Sequence, residues 1–147
     1  MKQILKAEAA MARAIDCARL GLGKTFPNPI VGAVIIDSTG SIIAEGFHDR
    51  MNSADHAEVV AIKAAGSKAK GSTIVVTLEP CNHTGSTGPC VQAIIDAGIT
   101  TVVFAVNDPY EKAAGGAAVL RAAGITVIEG VMSDEAAFSN RAWLMKI

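Results

Sequence analysis

The sequence predicts an α/β protein, a three-layer α/β/α sandwich around a mixed five-stranded sheet, and three observations carry this expectation. Short β-branched apolar runs alternate with segments whose apolar residues recur at helical spacing. Hydrophobic residues make up 50% of the chain and aromatic ones only 4%, so the core must be built from Ala, Val, Ile and Leu, a composition suited to helices packed on an apolar sheet. Gly98 and Gly124 stand where helices that cross between strands need a left-handed C-cap.

Each element follows in order. From Lys2 to Leu22, residues Ile4, Leu5, Met11, Ala12, Ile15 and Leu22 recur at helical spacing, with Gly21 and Gly23 as stop signals. Thr25-Phe26-Pro27-Asn28-Pro29 cannot continue that helix, because each proline lacks an amide donor and restrains the residue before it. Ile30 to Ile36 and Ser41 to Phe47, joined by Asp37-Ser38-Thr39-Gly40, read as an antiparallel hairpin. A helix is expected from His56 to Lys68. Ser72 to Leu78, Thr100 to Val106 and Ile125 to Glu129 are then short strands. Helices over Cys90 to Ala97 and Glu111 to Ala123 separate them, and a last helix runs from Asp134 to Met145. Strand, helix, strand at this spacing implies crossovers and parallel pairing.

The length of 147 residues fits one core-forming domain. A net charge of -1, and no stripe of aromatic and basic residues on which bases could stack, argue against nucleic acid and anionic membranes as partners. Met1 to Lys6 lacks the apolar core of a signal peptide, and no apolar run approaches ~18 residues, so a cytoplasmic protein is expected. Of three cysteines, Cys17, Cys81 and Cys90, any disulfide would leave one over, and a reducing compartment disfavours the bond. Cys17, on the apolar side of the first helix, reads as a small core residue.

Cys81 and Cys90 need another explanation. Asp55-His56-Ala57-Glu58 opens a helix directly after the hairpin, and Glu79-Pro80-Cys81 and Pro89-Cys90 follow the third strand around another helix start. One histidine and two cysteines make a three-ligand zinc set that leaves the fourth tetrahedral position for water, as a catalytic site requires. Residues two apart on a helix do not share a face, so Glu58 should miss the metal and sit beside the water instead. There it can take the water's proton and return protons to a ring nitrogen and departing ammonia. This is the His-x-Glu followed by Pro-Cys signature of zinc deaminases. Asp55 and Glu58 also fit a capping box, Asp at the N-cap and Glu three residues on, which would need no catalysis.

At these residues the chain closely resembles the deaminase domain of the bifunctional riboflavin-biosynthesis deaminase/reductases, within the cytidine deaminase-like superfamily. The resemblance rests on Pro27-Asn28-Pro29-Ile30-Val31-Gly32-Ala33-Val34, Glu45-Gly46-Phe47-His48, His56-Ala57-Glu58-Val59 and Thr77-Leu78-Glu79-Pro80-Cys81-Asn82-His83-Thr84-Gly85, and above all on the eight-residue gap between Cys81 and Cys90. It implies a diaminohydroxy-phosphoribosylaminopyrimidine substrate, deaminated on its ring. It further implies that Asn28 and His48 contact the pyrimidine, that the loop containing His83 closes over the substrate, and that Asp108 holds the ribose. Asn28, pinned between two prolines, would present its amide rigidly to a base edge, although an Asn in such a turn also has a plain turn role.

Ser86 stands where the resemblance implies a basic residue, and Tyr110-Glu111 where it implies Asn-Pro. The family continues into a nicotinamide-dependent reductase domain that this sequence does not contain, so no nicotinamide cofactor is expected of these residues. A homo-oligomer is expected by the same resemblance. Two other functions remain open at this point: deamination of another free nucleobase or nucleoside, and a catalytically idle deaminase fold that serves in assembly with a reductase.

Overall fold

The computed structural model describes residues 2–25, 29–49, 55–81, 90–107 and 115–141, with the side chains of 2–5 excepted. Helix α1 (Lys2–Arg19) is followed by strands β1 (Gly32–Ile36) and β2 (Ile42–Phe47), helix α2 (Ala57–Ala65) and a 3-10 turn at Gly66–Ala69. Strand β3 (Thr73–Leu78), helix α3 (Cys90–Asp96), strand β4 (Thr101–Val106), helix α4 (Gly116–Ala122), strand β5 (Thr126–Glu129) and helix α5 (Ser133–Ser139) complete it.

The sheet order is β2-β1-β3-β4-β5. Strand β1 is antiparallel to both neighbours, pairing Gly32 with Phe47 on one side and Ala33 with Val76 on the other. Strands β3, β4 and β5 are mutually parallel. Flanked on both edges, β1 is buried along its whole length, which is why Ala33, Val34, Ile35 and Ile36 form an unbroken apolar run rather than an alternating one.

Alternation along the strands divides the core into two layers. Val34, Ile36, Val75 and Val103 point to α1, where they meet Ala7, Ala10, Met11, Ala14 and Ile15, and Ala136 of α5 joins this layer. Ala33, Ile35, Ile74, Val76 and Val102 point the other way, onto Ala57 and Ala61 of α2, Val91 and Ile94 of α3 and Leu120 of α4. This is the three-layer α/β/α sandwich with a mixed five-stranded sheet that the sequence predicts.

Several boundaries differ from the expected ones for visible reasons. Helix α1 ends at Arg19 because successive amides of Leu20, Gly21 and Leu22 bond three residues back, a tightening that leaves Leu20 and Leu22 exposed. The first strand starts at Gly32 because Ile30 is held by the side chain of Asn140 instead of by the sheet. The second starts at Ile42 because Asp37 Oδ1 accepts from the Thr39 and Ser41 amides and keeps Ser41 in the turn. Gly66, at φ 57°, converts the end of α2 into 3-10 turn. Helix α4 starts at Gly116 rather than Glu111, of which residues 111–114 lie outside the described residues. Helix α5 is interrupted by a turn at Asn140, Arg141 is again helical, and residues 142–147 of the expected helix lie outside the described residues. The C-cap expectations for Gly98 and Gly124 hold, at φ 76° and 87°.

A candidate metal centre and active site

Because β1 alone runs against the other four strands, the C-terminal ends of β2, β3, β4 and β5 share one end of the sheet with the start of β1. The chain leaves β2 toward His48, Asp55 and His56, and leaves β3 toward Cys81. The candidate residues thus converge because of strand polarity, although they are far apart in sequence.

His56 is the N-cap of α2, at φ -72° and ψ 166°, and its side chain makes no cap hydrogen bond. Its Nδ1 lies 3.2 Å from Cys90 Sγ and 3.7 Å from Cys81 Sγ. Cys90 is the first residue of α3, and its backbone N–H reaches Cys81 Sγ at 3.4 Å, while Val91 N–H donates to the Cys81 carbonyl at 3.3 Å. The start of α3 therefore faces one thiol with an amide and carries the other. Tetrahedral zinc with ordinary Zn–N and Zn–S bonds separates nitrogen from sulfur by about 3.6 Å. The two observed separations bracket that value, so the residues fit the metal. All three donor atoms lie within 4.8 Å of one another, and no other such group exists among the described residues.

Electrostatics favours a cation at the same point. The Cys90 thiol hydrogen-bonds Cys81 and holds the Cys81 thiol well below its usual range, with His56 adding to the shift. The same sharing pushes Cys90 up, assisted by burial. His56 is raised, first by its hydrogen bond with Cys81. Two buried sulfurs and an imidazole nitrogen hydrogen-bond one another at one point, a donor set that a dication can take in place of their protons.

Glu58, the second residue of α2, is 3% exposed. Burial, with the Cys81 thiolate next, pushes its carboxyl up to about 7. It is not one of the clustered donors, as its offset from His56 requires. The capping-box expectation is corrected: the N-cap is His56, not Asp55, and Asp55 instead pairs with Lys63 at 2.7 Å. A buried carboxyl with a raised pKa beside a metal set is suited to carrying a proton near neutrality.

His48 is brought to the same place. It is buried, its ring lies edge-on to His56 with centroids 5.1 Å apart, and its Nδ1 is 3.2 Å from the Asp55 carbonyl. Gly21 packs behind it, where an added Cβ would come 2.6 Å from the His48 carbonyl oxygen. Asn28, His83 and Asp108 lie outside the described residues. Cys17 is buried in the α1 layer beside Glu45, away from the cluster, as a core residue.

Two residues to which the sequence assigns no role stand out next to the site. Asn140 accepts from Ile30 N–H and donates to the Ile30 carbonyl, both at 2.8 Å, two residues after Asn28 in the chain. Glu79 is buried, and its Oε2 accepts from the Ala117 N–H at 3.0 Å. The sequence signal for Glu79 was a carboxylate directly between an apolar strand and a Pro-Cys pair. Asn140 opens the segment Asn140-Arg141-Ala142-Trp143-Leu144, which resembles the end of the deaminase half, but no local pattern names its partner Ile30.

Fold and site together define a zinc-dependent hydrolase of deaminase type, and comparison with known proteins places the chain within that class. The family described as the cytidine and deoxycytidylate deaminase zinc-binding region matches residues 5–106. The riboflavin biosynthesis protein RibD of Mycobacterium tuberculosis is 47% identical over 147 residues, covering 99% of this chain and 43% of that protein. A diaminohydroxyphosphoribosylamino-pyrimidine deaminase of Buchnera aphidicola is 45% identical over 138 residues, covering 93% of this chain and 92% of the other. The crystal structure of a Thermotoga maritima deaminase/reductase superposes with a TM-score of 0.92 at 42% identity, over 99% of this chain and 42% of that one. The chain thus spans less than half the length of the bifunctional relatives it matches. It belongs to the cytidine and deoxycytidylate deaminase family, on the branch of the RibD deaminase domains.

No helix among the described residues is long and apolar enough to cross a membrane.

Proposed function

We propose that the chain is a zinc-dependent deaminase that hydrolyses the ring amine of diaminohydroxyphosphoribosylaminopyrimidine and releases ammonia. The observation that carries this is the buried Glu58 carboxyl beside the His56, Cys81 and Cys90 donor set. The substrate is supported by the Buchnera relative, whose name specifies it and which matches along nearly its whole length.

His56, Cys81 and Cys90 would hold the metal, which as a Lewis acid makes a water nucleophilic near neutral pH. Glu58 takes the proton from the attacking water. The water oxygen bonds to the amino-bearing ring carbon, and Glu58 passes its proton to the neighbouring ring nitrogen. The carbon–nitrogen bond then breaks, and the second water proton leaves with the amine as ammonia, again by way of Glu58. His48, edge-on to the His56 ring, would contact the pyrimidine together with Asn28, the loop containing His83 would close over the substrate, and Asp108 would hold the ribose. The cytoplasm, where thiols stay reduced, suits a site built on two of them.

The test is ammonia release from this substrate, with cytosine and guanine as competitors, on wild type and Glu58→Gln. Loss of a general acid and base lowers kcat by about 10²- to 10⁴-fold, and metal analysis should find the zinc of wild type and variant equal. Cys81→Ala should lose it. Turnover unchanged in Glu58→Gln would remove the carboxyl from its role, and turnover of a competitor alone would replace the substrate.

A further inference from the structure

We propose that Glu79 is a positioning residue for the metal ligand Cys81, acting by locking the start of α4 against the Pro80–Cys81 turn; this rests on the zinc assignment made above. Glu79 is the first residue after β3. Its backbone N–H donates to the Val106 carbonyl at 2.8 Å, which continues the pairing of β3 with β4 by one step. Its buried carboxylate oxygen accepts from the Ala117 N–H at 3.0 Å.

Helix α4 needs this partner. Its N-cap is Gly115, in the left-handed region at φ 93°, which has no side chain to satisfy the first-turn amides. Glu79 supplies the cap from another strand. The next residue, Pro80, has no N–H with which to anchor the turn. What meets it is Gly116: a Cβ there would lie 2.0 Å from the Pro80 carbonyl oxygen and 3.2 Å from Val91 Cγ1. The first turn of α4 thus lies directly on the backbone of the turn that carries Cys81 and touches, through Val91, the helix that carries Cys90. The hydrogen bond that Glu79 accepts from Ala117 holds it there. Without that bond the α4 terminus can draw back, and Cys81 loses the wall that sets its distance to His56.

The experiment measures zinc affinity by competition with a chromophoric chelator, together with the melting temperature of the metal-free chain. Removing an interaction that orients a ligand weakens metal by about 10- to 100-fold, so Glu79→Ala should bind zinc at least tenfold more weakly. Glu79→Gln keeps a carbonyl oxygen for Ala117 and should stay within threefold of wild type. Gly116→Ala leaves the carboxylate intact but drives the helix off Pro80, and should weaken zinc like Glu79→Ala. A role in folding alone would lower the metal-free melting temperature and leave the zinc affinity of the folded chain unchanged, which overturns the proposal. Should Glu79→Ala not fold, Gly116→Ala decides: affinity within threefold of wild type overturns it. Failure of wild type to bind zinc would instead refute the metal assignment itself.

Discussion

Gly46 lies on β2 directly under the start of α2, and replacing it by alanine tests whether the sheet sets the position of the reacting groups. An added Cβ would lie 2.4 Å from the Ala57 carbonyl oxygen and 2.8 Å from the Ala61 nitrogen. Both are backbone atoms that cannot swing aside, so α2 must retreat by about 1 Å before ordinary contact at 3.4 Å is reached. Overpacking of this kind costs about 1–3 kcal/mol, or roughly 3–12 °C in melting temperature for a chain of this size. The helix carries Glu58 and starts at the His56 cap, and a displacement of 1 Å at reacting groups costs about 10²-fold in rate.

Gly32→Ala is the matched control. Its Cβ would lie 1.9 Å from the Ala14 carbonyl oxygen on the opposite face, where α1 carries none of the metal donors. The assay is ammonia release well below the melting point, beside a thermal melt of each variant. Both variants should melt lower, and only Gly46→Ala should lose turnover by about two orders of magnitude. Turnover of Gly46→Ala within threefold of wild type, or an equal loss in Gly32→Ala, would refute the reasoning.

Two further outcomes follow from contacts outside the metal centre. Asn140→Ala removes the partners of both buried Ile30 backbone groups; at about 1–3 kcal/mol for each unsatisfied group, urea unfolding should show a loss of roughly 2–6 kcal/mol, and a loss below about 0.5 would show that water replaces the amide. The Arg13 guanidinium, hydrogen-bonded to Glu45, holds the Glu45 carboxyl below its ordinary 4.5. A depressed folded pKa stabilises above the unfolded value and is lost as pH falls through the folded one. Glu45→Gln should therefore melt below wild type at pH 7, and the two melting temperatures should converge as pH falls below the ordinary 4.5 and through the depressed value; a gap that does not shrink with acidification would exclude the ion pair as its cause.

What was legible in the sequence is what local chemistry dictates. Of the apolar residues whose spacing predicts the first helix, Met11 and Ile15 face the sheet while Ala12 and Leu22 are exposed, so the helix was legible and its buried face, completed by Ala7, Ala10, Ala14 and Ala18, only in part; the β-branched runs write strands, and Gly98 and Gly124 mark helix ends by their left-handed φ. His56, Glu58, Cys81 and Cys90 were legible because metal-ligand chemistry restricts residue type and order together. The interior position of β1 was not, since a hairpin signal says which strand β1 pairs with on one edge and nothing of the other. Glu79 and Asn140 act on backbone atoms 38 and 110 residues away, and no local pattern encodes such a partner. The capping box failed for a related reason: Asp55 has Lys63 to pair with, and Glu58 is drawn inside by the cluster.

The same topology separates two properties that a deaminase must hold together. The donors sit at the termini of described elements: His56 caps α2, Cys90 opens α3, and Cys81 follows β3 with its amide and carbonyl surroundings braced by α3 and α4. The residues expected to recognise the substrate fall in the connections instead, Asn28 between α1 and β1, His83 between β3 and α3, and Asp108 between β4 and α4. Connections on one edge of a sheet can vary without disturbing the strands that bear them. Substitutions at Asn28 or Asp108 should therefore change KM and the choice of ring while zinc content stays constant, whereas a change at Gly116 or Glu79, buried beneath the metal ligands, should do the reverse. Strand polarity is what makes this possible, because the ends of β2, β3 and β4 and the start of β1, which these connections join, share the end of the sheet where the metal donors meet.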